Sequence, residues 1–485
     1  MKIALVRPNH RCLSNTIMPP LGIGYLSSYL KSHGIETVVV DALRDRLNEA
    51  STLDIVLKRK PDVVGITCYT AYYSEAVALS KGIKKNNIPC IIGGPHPTFL
   101  TYETLLDSKA DFAICGEAEI AITALLKNNL INNNIKGVYS LDNLSSPDLP
   151  VVKAEIVEDL DLVPFPDWES MPPDSYPEAP HGFFNRDYPV GIIMTTRGCP
   201  YSCVFCCSPK FYEQRLRYRS AQNVIQEIKY LYENFKVREI HFFDDNFTFK
   251  REHAEQICQL IIDSKLKISW SLPTGIRADK VDEELLRLMK RSGCYYLQLG
   301  IESANPQILR NIKKAETIGR IRKTIKLCDK VSLYTSGSFI FGLPGETKDT
   351  IKETIKFATS VPLTKADFPL LDVLPGSELW DTLKGRFTPN WSKLSLKEPE
   401  FIPEGLSKAE LLTAQTTAFR KFYFRPIIFL RVLGALRPSY IKFIFKKLFE
   451  YRIIKNNNRK INNLGWQPRV NLKEGIRKTY EFYSE

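Results

Sequence analysis

No stretch of the 485 residues reaches the ~18 uninterrupted apolar residues that a membrane-crossing helix needs. The opening run, Met1-Lys2-Ile3-Ala4-Leu5-Val6-Arg7-Pro8, has too short an apolar part for a secretory signal. A cytoplasmic protein, soluble or at most membrane-peripheral, is expected. Eleven cysteines are few for so long a chain, and most stand alone in apolar runs such as Gly65-Ile66-Thr67-Cys68. They make no disulfide framework and suit a reducing compartment. No Gly-x-Gly-x-x-Gly follows the first strand, so the usual dinucleotide fingerprint is missing. Acid is nearly absent from one region: between Thr416 and Lys455, ten Lys or Arg stand against the single Glu450, a surplus of nine within a net charge of +13. A surplus so confined speaks for the C-terminal region alone and against a whole-protein nucleic-acid reading.

Short runs rich in Val, Ile and Cys, at Lys2 to Arg7, Thr37 to Asp41, Val63 to Cys68, Cys90 to Gly93 and Phe112 to Cys115, read as buried strands, with helix patterns between them such as Gly24 to His33 and Ser74 to Lys85. The alternation predicts a doubly wound α/β domain over residues 1–145. Residues 146–189 turn Pro-rich, as in Val163-Pro164-Phe165-Pro166-Asp167-Trp168, and read as a surface linker. Residues 190–385 repeat one unit six times, with strands expected at Gly191 to Thr196, Glu239 to Asp244, Ile268 to Thr274, Tyr295 to Gly300, Ser336 to Leu343 and Ala366 to Val373. Six such units make a partial (β/α)6 barrel, whose reacting groups belong on loops at the carboxyl ends of the strands. Residues 386–485 read as a small, basic helical region.

Just after the first barrel strand comes Thr195-Thr196-Arg197-Gly198-Cys199-Pro200-Tyr201-Ser202-Cys203-Val204-Phe205-Cys206. Three thiolates packed so closely can ligate three corners of a [4Fe-4S] cube and leave the fourth iron without a protein ligand. The competing reading is a structural zinc knot with Cys207 as fourth ligand, but adjacent cysteines point apart and closed zinc sites pair two separated arms. The spacing of Cys199, Cys203 and Cys206, with Phe205 before the last, resembles the signature of radical S-adenosylmethionine (radical SAM) enzymes. The resemblance implies an S-adenosylmethionine site on the barrel loops. There Phe205 lies beside the cofactor, Asp244 and Asp245 meet its ammonium, Arg277 pairs with its carboxylate, Glu302 and Ser303 bind its ribose, and Gly342 and Gly345 admit its adenine. Each acid taken alone also fits a helix cap or turn.

Pro19-Pro20-Leu21-Gly22-Ile23-Gly24-Tyr25-Leu26, Gly93-Gly94-Pro95-His96-Pro97-Thr98 and Gly116-Glu117-Ala118-Glu119 resemble the N-terminal domain of the cobalamin-dependent branch. This implies a cobalamin site at Thr67, Thr70, Gly93, Gly94, His96, Pro97, Gly116 and Glu117. Cobalt-ligating domains place Asp-x-His-x-x-Gly after the first strand, whereas Pro8-Asn9-His10-Arg11-Cys12-Leu13 keeps only the histidine; cobalt without a protein imidazole is therefore expected.

The implied activity is methyl transfer to an unactivated carbon or phosphorus centre, through a 5′-deoxyadenosyl radical and methylcobalamin. The alternatives are a cobalamin-assisted oxidative cyclase, a methylthiotransferase with a second cluster drawn from Cys12, Cys68, Cys90 and Cys115, and a non-enzymatic cobalamin-binding regulator. The expected partners are a small-molecule, lipid or peptide substrate and an electron donor such as flavodoxin or ferredoxin. The aromatic and basic stretch 416–455 reads either as a helical cap or as a peripheral membrane contact.

Overall fold

The computed structural model describes residues 1–10, 17–178, 185–391, 398–426 and 428. Its N-terminal sheet comprises β1 (Lys2–Arg7), β2 (Glu36–Asp41), β3 (Val63–Thr67), β4 (Cys90–Gly93), β5 (Phe112–Ile114) and β6 (Val138–Tyr139), in the order β2-β1-β3-β4-β5-β6. The first five run parallel. Five of the six β1 residues are buried, as a strand covered by helices on both faces must be. β6 pairs antiparallel with β5; at two residues it is too short to show a period in the sequence. Chain order reverses between β1 and β3, which puts a crevice at the carboxyl edge of the sheet.

The second sheet belongs to the same structural unit. After β7 (Val190–Ile193), a ribbon of β8 (Thr196–Arg197) and β9 (Arg217–Tyr218) precedes β10 (Glu239–Phe242), β11 (Ser269–Ile276), β12 (Cys294–Glu302), β13 (Tyr334–Phe339) and β14 (Lys365–Asp367). β7 and β10 to β14 are parallel neighbours in chain order, with β7 and β14 as the two edges. This is the expected partial barrel. Helices Ala221–Asn234, Arg251–Ser264, Glu283–Arg291, Ile318–Lys330 and Lys348–Ser360 wrap it, and side-chain caps mark most of their starts. Ser220, Asp282, Thr317 and Thr347 each accept a backbone N–H three residues on, satisfying a donor that the helix leaves orphaned.

The Pro-rich segment runs along the surface over much of residues 146–159, but residues 160–176 are not a surface linker. Trp168 and Met171 are fully buried, and Gly24 leaves room for Met171 and Pro166 where a Cβ would collide with both. Trp168 Nε1 donates to Glu227 of the barrel at 3.0 Å. Asp167 accepts from Ser27 and Lys31 of the N-terminal domain, and the Tyr176 hydroxyl donates to Asp41, which Arg7 grips with two hydrogen bonds. Proline brings no N–H, so a proline run can be buried at little cost in orphaned donors; a surface course did not follow from its composition.

In the C-terminal region, helix Lys408–Tyr423 lays Phe419 and Phe422 edge-on against Phe368 beneath the barrel wall. The described beginning of the basic stretch is thus a helical cap with its aromatic stripe in the core; residues 429–455 lie outside the described residues. Among the described residues no helix is long and apolar enough to cross a membrane.

Candidate active site

The cysteine loop leaves β8 at Gly198, whose φ of +105° disfavours any other residue; a Cβ there would sit 1.9 Å from the Arg215 carbonyl oxygen. Barrel acids brace the loop at each end. Asp244 takes four hydrogen bonds on Oδ1, from the N–H and hydroxyl groups of Thr195 and Thr196, at 2.5–3.0 Å. Burial pushes its pKa up to about 6 against the pull of those bonds. Asp245 accepts from the Ser208 hydroxyl, two residues past Cys206. The expected ammonium-binding acids are therefore loop braces first, although Oδ2 of Asp244 has no partner.

Cys199, Cys203 and Cys206 are half-buried, and burial raises all three thiol pKa values, Cys199 to about 11. Such thiols favour the thiolate only when a cation compensates the charge, as bound iron does. Among the described residues no three His, Cys, Asp or Glu side chains converge on a single-ion site. A cube spreads its ligands over separate irons, so its cysteines need not converge as those of a single-ion site do. Phe205 packs with Val204, Ile312, Leu343 and Leu371 as an apolar wall beside the triad.

Two expected roles do not match the geometry. Arg277 gives its donors to the Lys314 and Ala315 carbonyls and to Asp279, and stacks 3.8 Å over Tyr201, so its guanidinium is already engaged. Ser303 is fully buried, receiving the Asn305 N–H and lying 3.3 Å from the Thr354 hydroxyl; it caps a turn. Glu302, in the left-handed region at φ +62°, pairs instead with Lys314 at 3.0 Å. Lys314 is the residue that the sequence did not disclose. It is buried; burial opposes its charge, but Glu302, Glu316 and Cys203 outweigh that and hold its pKa at about 12. Nothing in Lys313-Lys314 distinguishes it from the other surface-like lysines.

Gly342 and Gly345 have φ of +92° and +83°, as the expected backbone approach requires. Both N–H groups of Gly342 and Leu343 donate to Glu346 Oε2 at 2.7 and 3.1 Å, while its Oε1 is buried without a partner. The Asn246 amide and the Thr248 hydroxyl are also buried and unpartnered. Polar atoms are seldom left so; those of Asp244, Asn246, Thr248 and Glu346 follow β10 and β13, where the ammonium and adenine were expected, and a polar ligand fits them. Burial raises the Glu346 pKa to about 8, so the fold favours the neutral acid. The stability this provides is complete below the ordinary value near 4.5 and is lost as pH rises through about 8. Chemical denaturation of the parent and Glu346→Gln should show the variant gaining on the parent between pH 5 and pH 8.5; a constant difference would contradict the assignment.

At the crevice of the first sheet, Gly94 (φ +115°) would put a Cβ 2.8 Å from the Cys68 carbonyl oxygen, so the loops after β3 and β4 touch backbone to backbone. His96 is 1% exposed, with Nδ1 3.1 Å from the Thr70 hydroxyl and its ring against Tyr73 and Trp391. Burial lowers its pKa to about 3. His96 and Thr70 thus support the edge from within, Pro97 is buried beside them, and Thr67 bonds Tyr72. His10 stacks parallel on Tyr72 at 5.5 Å, its pKa lowered to about 4 by burial and Arg7, and it lines a cleft of about 160 Å³ with Pro8, Asn9 and Leu47. A Cβ on Gly116 would press on the Lys153 side chain at 3.1 Å, while one on Gly93 would make only ordinary contact with Ile114. Glu117 departs from expectation: its two oxygens are taken by Arg197 and Arg217 of the barrel. Tyr69 is 52% exposed, and the charge of Cys207 on the cysteine loop adds to the causes that raise its hydroxyl.

A cobalamin-type domain whose crevice faces a three-cysteine loop on a partial barrel defines a class: the chain belongs to the cobalamin-dependent radical SAM enzymes. The radical SAM superfamily model matches residues 193–358 and the B12 binding domain model residues 14–126. The chain is 31% identical over 447 residues, 89% of its length and 94% of the relative's, to an uncharacterized methyltransferase of Pyrococcus horikoshii. It is 28% identical over 441 residues, 87% of its length and 77% of the relative's, to the anaerobic magnesium-protoporphyrin IX monomethyl ester cyclase of Rubrivivax gelatinosus. The fold matches a radical S-adenosylmethionine methyltransferase from Kitasatospora setae, solved with cobalamin and a [4Fe-4S] cluster bound, with a TM-score of 0.65 over 90% of this chain and 89% of that one at 16% identity. The cofactors of the class are a [4Fe-4S] cluster, S-adenosylmethionine and cobalamin.

Proposed function

We propose that this enzyme transfers a methyl group to an unactivated carbon or phosphorus centre of a small-molecule substrate. The observation that carries the reading is the direct contact of the two domains at their loops: Glu117, which follows β5 of the cobalamin-type domain, pairs with Arg197 and Arg217 on the ribbon that flanks the cysteine loop. Hydrogen abstraction and methyl delivery must reach the same bound molecule, which requires both cofactors to open on one cavity. When bound, the cluster with S-adenosylmethionine supplies one-electron cleavage of a sulfonium, and cobalamin supplies a transferable methyl.

In this reading Cys199, Cys203 and Cys206 hold the cluster. Asp244, through its unpartnered oxygen, and Asn246 hold the amine end of S-adenosylmethionine. Lys314 replaces Arg277 as the cation for its carboxylate, Glu302 faces its ribose, and Gly342 and Gly345 admit its adenine. Thr67, Gly93, Gly94 and Gly116 bound the corrin, while Phe205 and Tyr69 wall the cavity against water.

Methyl transfer is favoured over ring formation because the relative from Pyrococcus, similar over nearly its whole length, is a methyltransferase by name; the cyclase from Rubrivivax keeps the second reading open. A second cluster finds no support. Cys68, Cys90 and Cys115 are wholly buried, and Cys90 and Cys115 contact Ser80 and Thr101, the ordinary surroundings of core thiols; Cys12 lies outside the described residues. The test is anaerobic reconstitution with iron, sulfide and cobalamin, then incubation with S-adenosylmethionine and reduced flavodoxin. Both S-adenosylhomocysteine and 5′-deoxyadenosine are expected, and 5′-deoxyadenosine alone would replace methyl transfer by the cyclase reading.

A further inference from the structure

The cysteine loop leaves the barrel through a narrow neck, the β8–β9 ribbon, and that neck sets Arg197 directly opposite Arg217. Like charges facing each other across an antiparallel pair repel. Both arginines are buried, at 8% and 9% exposure, where repulsion is least screened. The ladder has only one other pair, Thr196 with Tyr218, to offset it. Neutralisation comes from the other domain. Glu117 gives one oxygen to each arginine, at 2.5 Å to Arg197, and Glu119 takes Arg197 at 2.7 Å. Tyr25 of the same domain lies under the Arg197 guanidinium at 5.0 Å. Two charges of each sign then balance.

We propose that Glu117 is a positioning residue, a latch by which the cobalamin domain holds closed the neck of the loop that carries the cluster ligands. Glu117 follows Gly116, whose φ of +88° turns the chain away from β5, and the Gly116 N–H donates at 2.9 Å to the Thr98 hydroxyl in the short helix Pro95–Phe99 that follows β4. The loops that rim the corrin crevice are therefore bonded to the residue that closes the neck. Seating of cobalamin against those loops and retention of the cluster are coupled through it, and the coupling acts equally in both directions. A purely apolar contact could hold the neck as firmly. The ionic one adds a condition: with the Glu117 carboxylate gone, Arg217 is left buried opposite Arg197, with Glu119 alone to offset the two.

The proposal rests on the cluster reading of the cysteine triad, and the experiment separates the two. Full-length parent, Glu117→Gln and the compensating Glu117→Gln/Arg217→Gln are compared in two measurements. Hydrogen exchange of amides 198–216 in the cluster-free protein reads the neck alone. Exchange at least about tenfold faster in Glu117→Gln, with return toward the parent in the double variant, is expected from the loss and removal of an uncompensated buried charge. Release of iron from reconstituted protein to a chelator, with and without hydroxocobalamin, reads the coupling: cobalamin should slow release in the parent but in neither variant that lacks Glu117. Unchanged exchange in Glu117→Gln, or no recovery in the double variant, overturns the latch. Equal protection by cobalamin in all three overturns the coupling. A parent that binds no iron overturns the cluster reading instead, and exchange still decides the latch. If Glu117→Gln does not fold while the double variant does, the charge conflict is confirmed; if neither folds, the latch as an ionic device is overturned.

Discussion

Changing Cys203 to alanine should take the iron of anaerobically reconstituted protein from about four per chain toward none, and 5′-deoxyadenosine formation with it. Loss of outer partners alone costs a metal site about 10–100-fold, so loss of a ligand should exceed that. Cys199→Ala and Cys206→Ala should behave alike. Cys207→Ala should keep both iron and turnover, because Cys199, Cys203 and Cys206 already supply the three protein ligands of a cube with one open iron. Iron analysis and absorbance near the brown region of a cubane check all four; equal losses in Cys203→Ala and Cys207→Ala would restore the zinc knot. Binding of hydroxocobalamin controls for folding, since the N-terminal sheet contains none of these residues.

The second large effect is expected from a single methyl group. Gly198→Ala puts a Cβ where the Arg215 carbonyl oxygen already lies, 1.9 Å away, at a φ of +105°. The dihedral alone costs on the order of 1–3 kcal/mol, and the overlap forces the neck of the cysteine loop apart. Cluster content should fall as severely as with loss of a ligand, though every cysteine is present. Gly319→Ala is the control: that glycine sits in helix Ile318–Lys330 with nothing near its Cβ position, so alanine there should stabilise by about 0.5–1 kcal/mol. Equilibrium unfolding with iron analysis on both variants decides; a Gly198→Ala protein with full iron would mean that the neck opens without consequence for the cluster.

Most of the architecture was legible because its signals are local. Alternating buried strands and capped helices state their own bounds, and β1 runs over the same Lys2 to Arg7 that its apolar run marks. The cysteine triad was legible because its three ligands lie within one loop. What was hidden depends on partners far away in the chain. Asp167 and Trp168 look like linker residues until Ser27, Lys31 and Glu227 are seen around them. Glu117 looks like part of a cobalamin rim until Arg197, 80 residues on, takes its carboxylate. Lys314 is one of 67 lysines and arginines, and only burial beside Glu302 marks it out. Arg277 failed for the same reason: a residue type suited to a carboxylate says nothing about whether its donors are already engaged.

The buried proline segment has a practical meaning for anyone who would dissect this enzyme. Trp168 is inserted against the barrel while Asp167 and Met171 are inserted against the first helix, so the segment behaves as a shared gasket between the halves. Cutting the gene at this segment would leave whichever fragment kept it with a raw apolar face, and chimeras that exchange cobalamin domains between relatives would need to carry residues 160–176 along with the matching first helix.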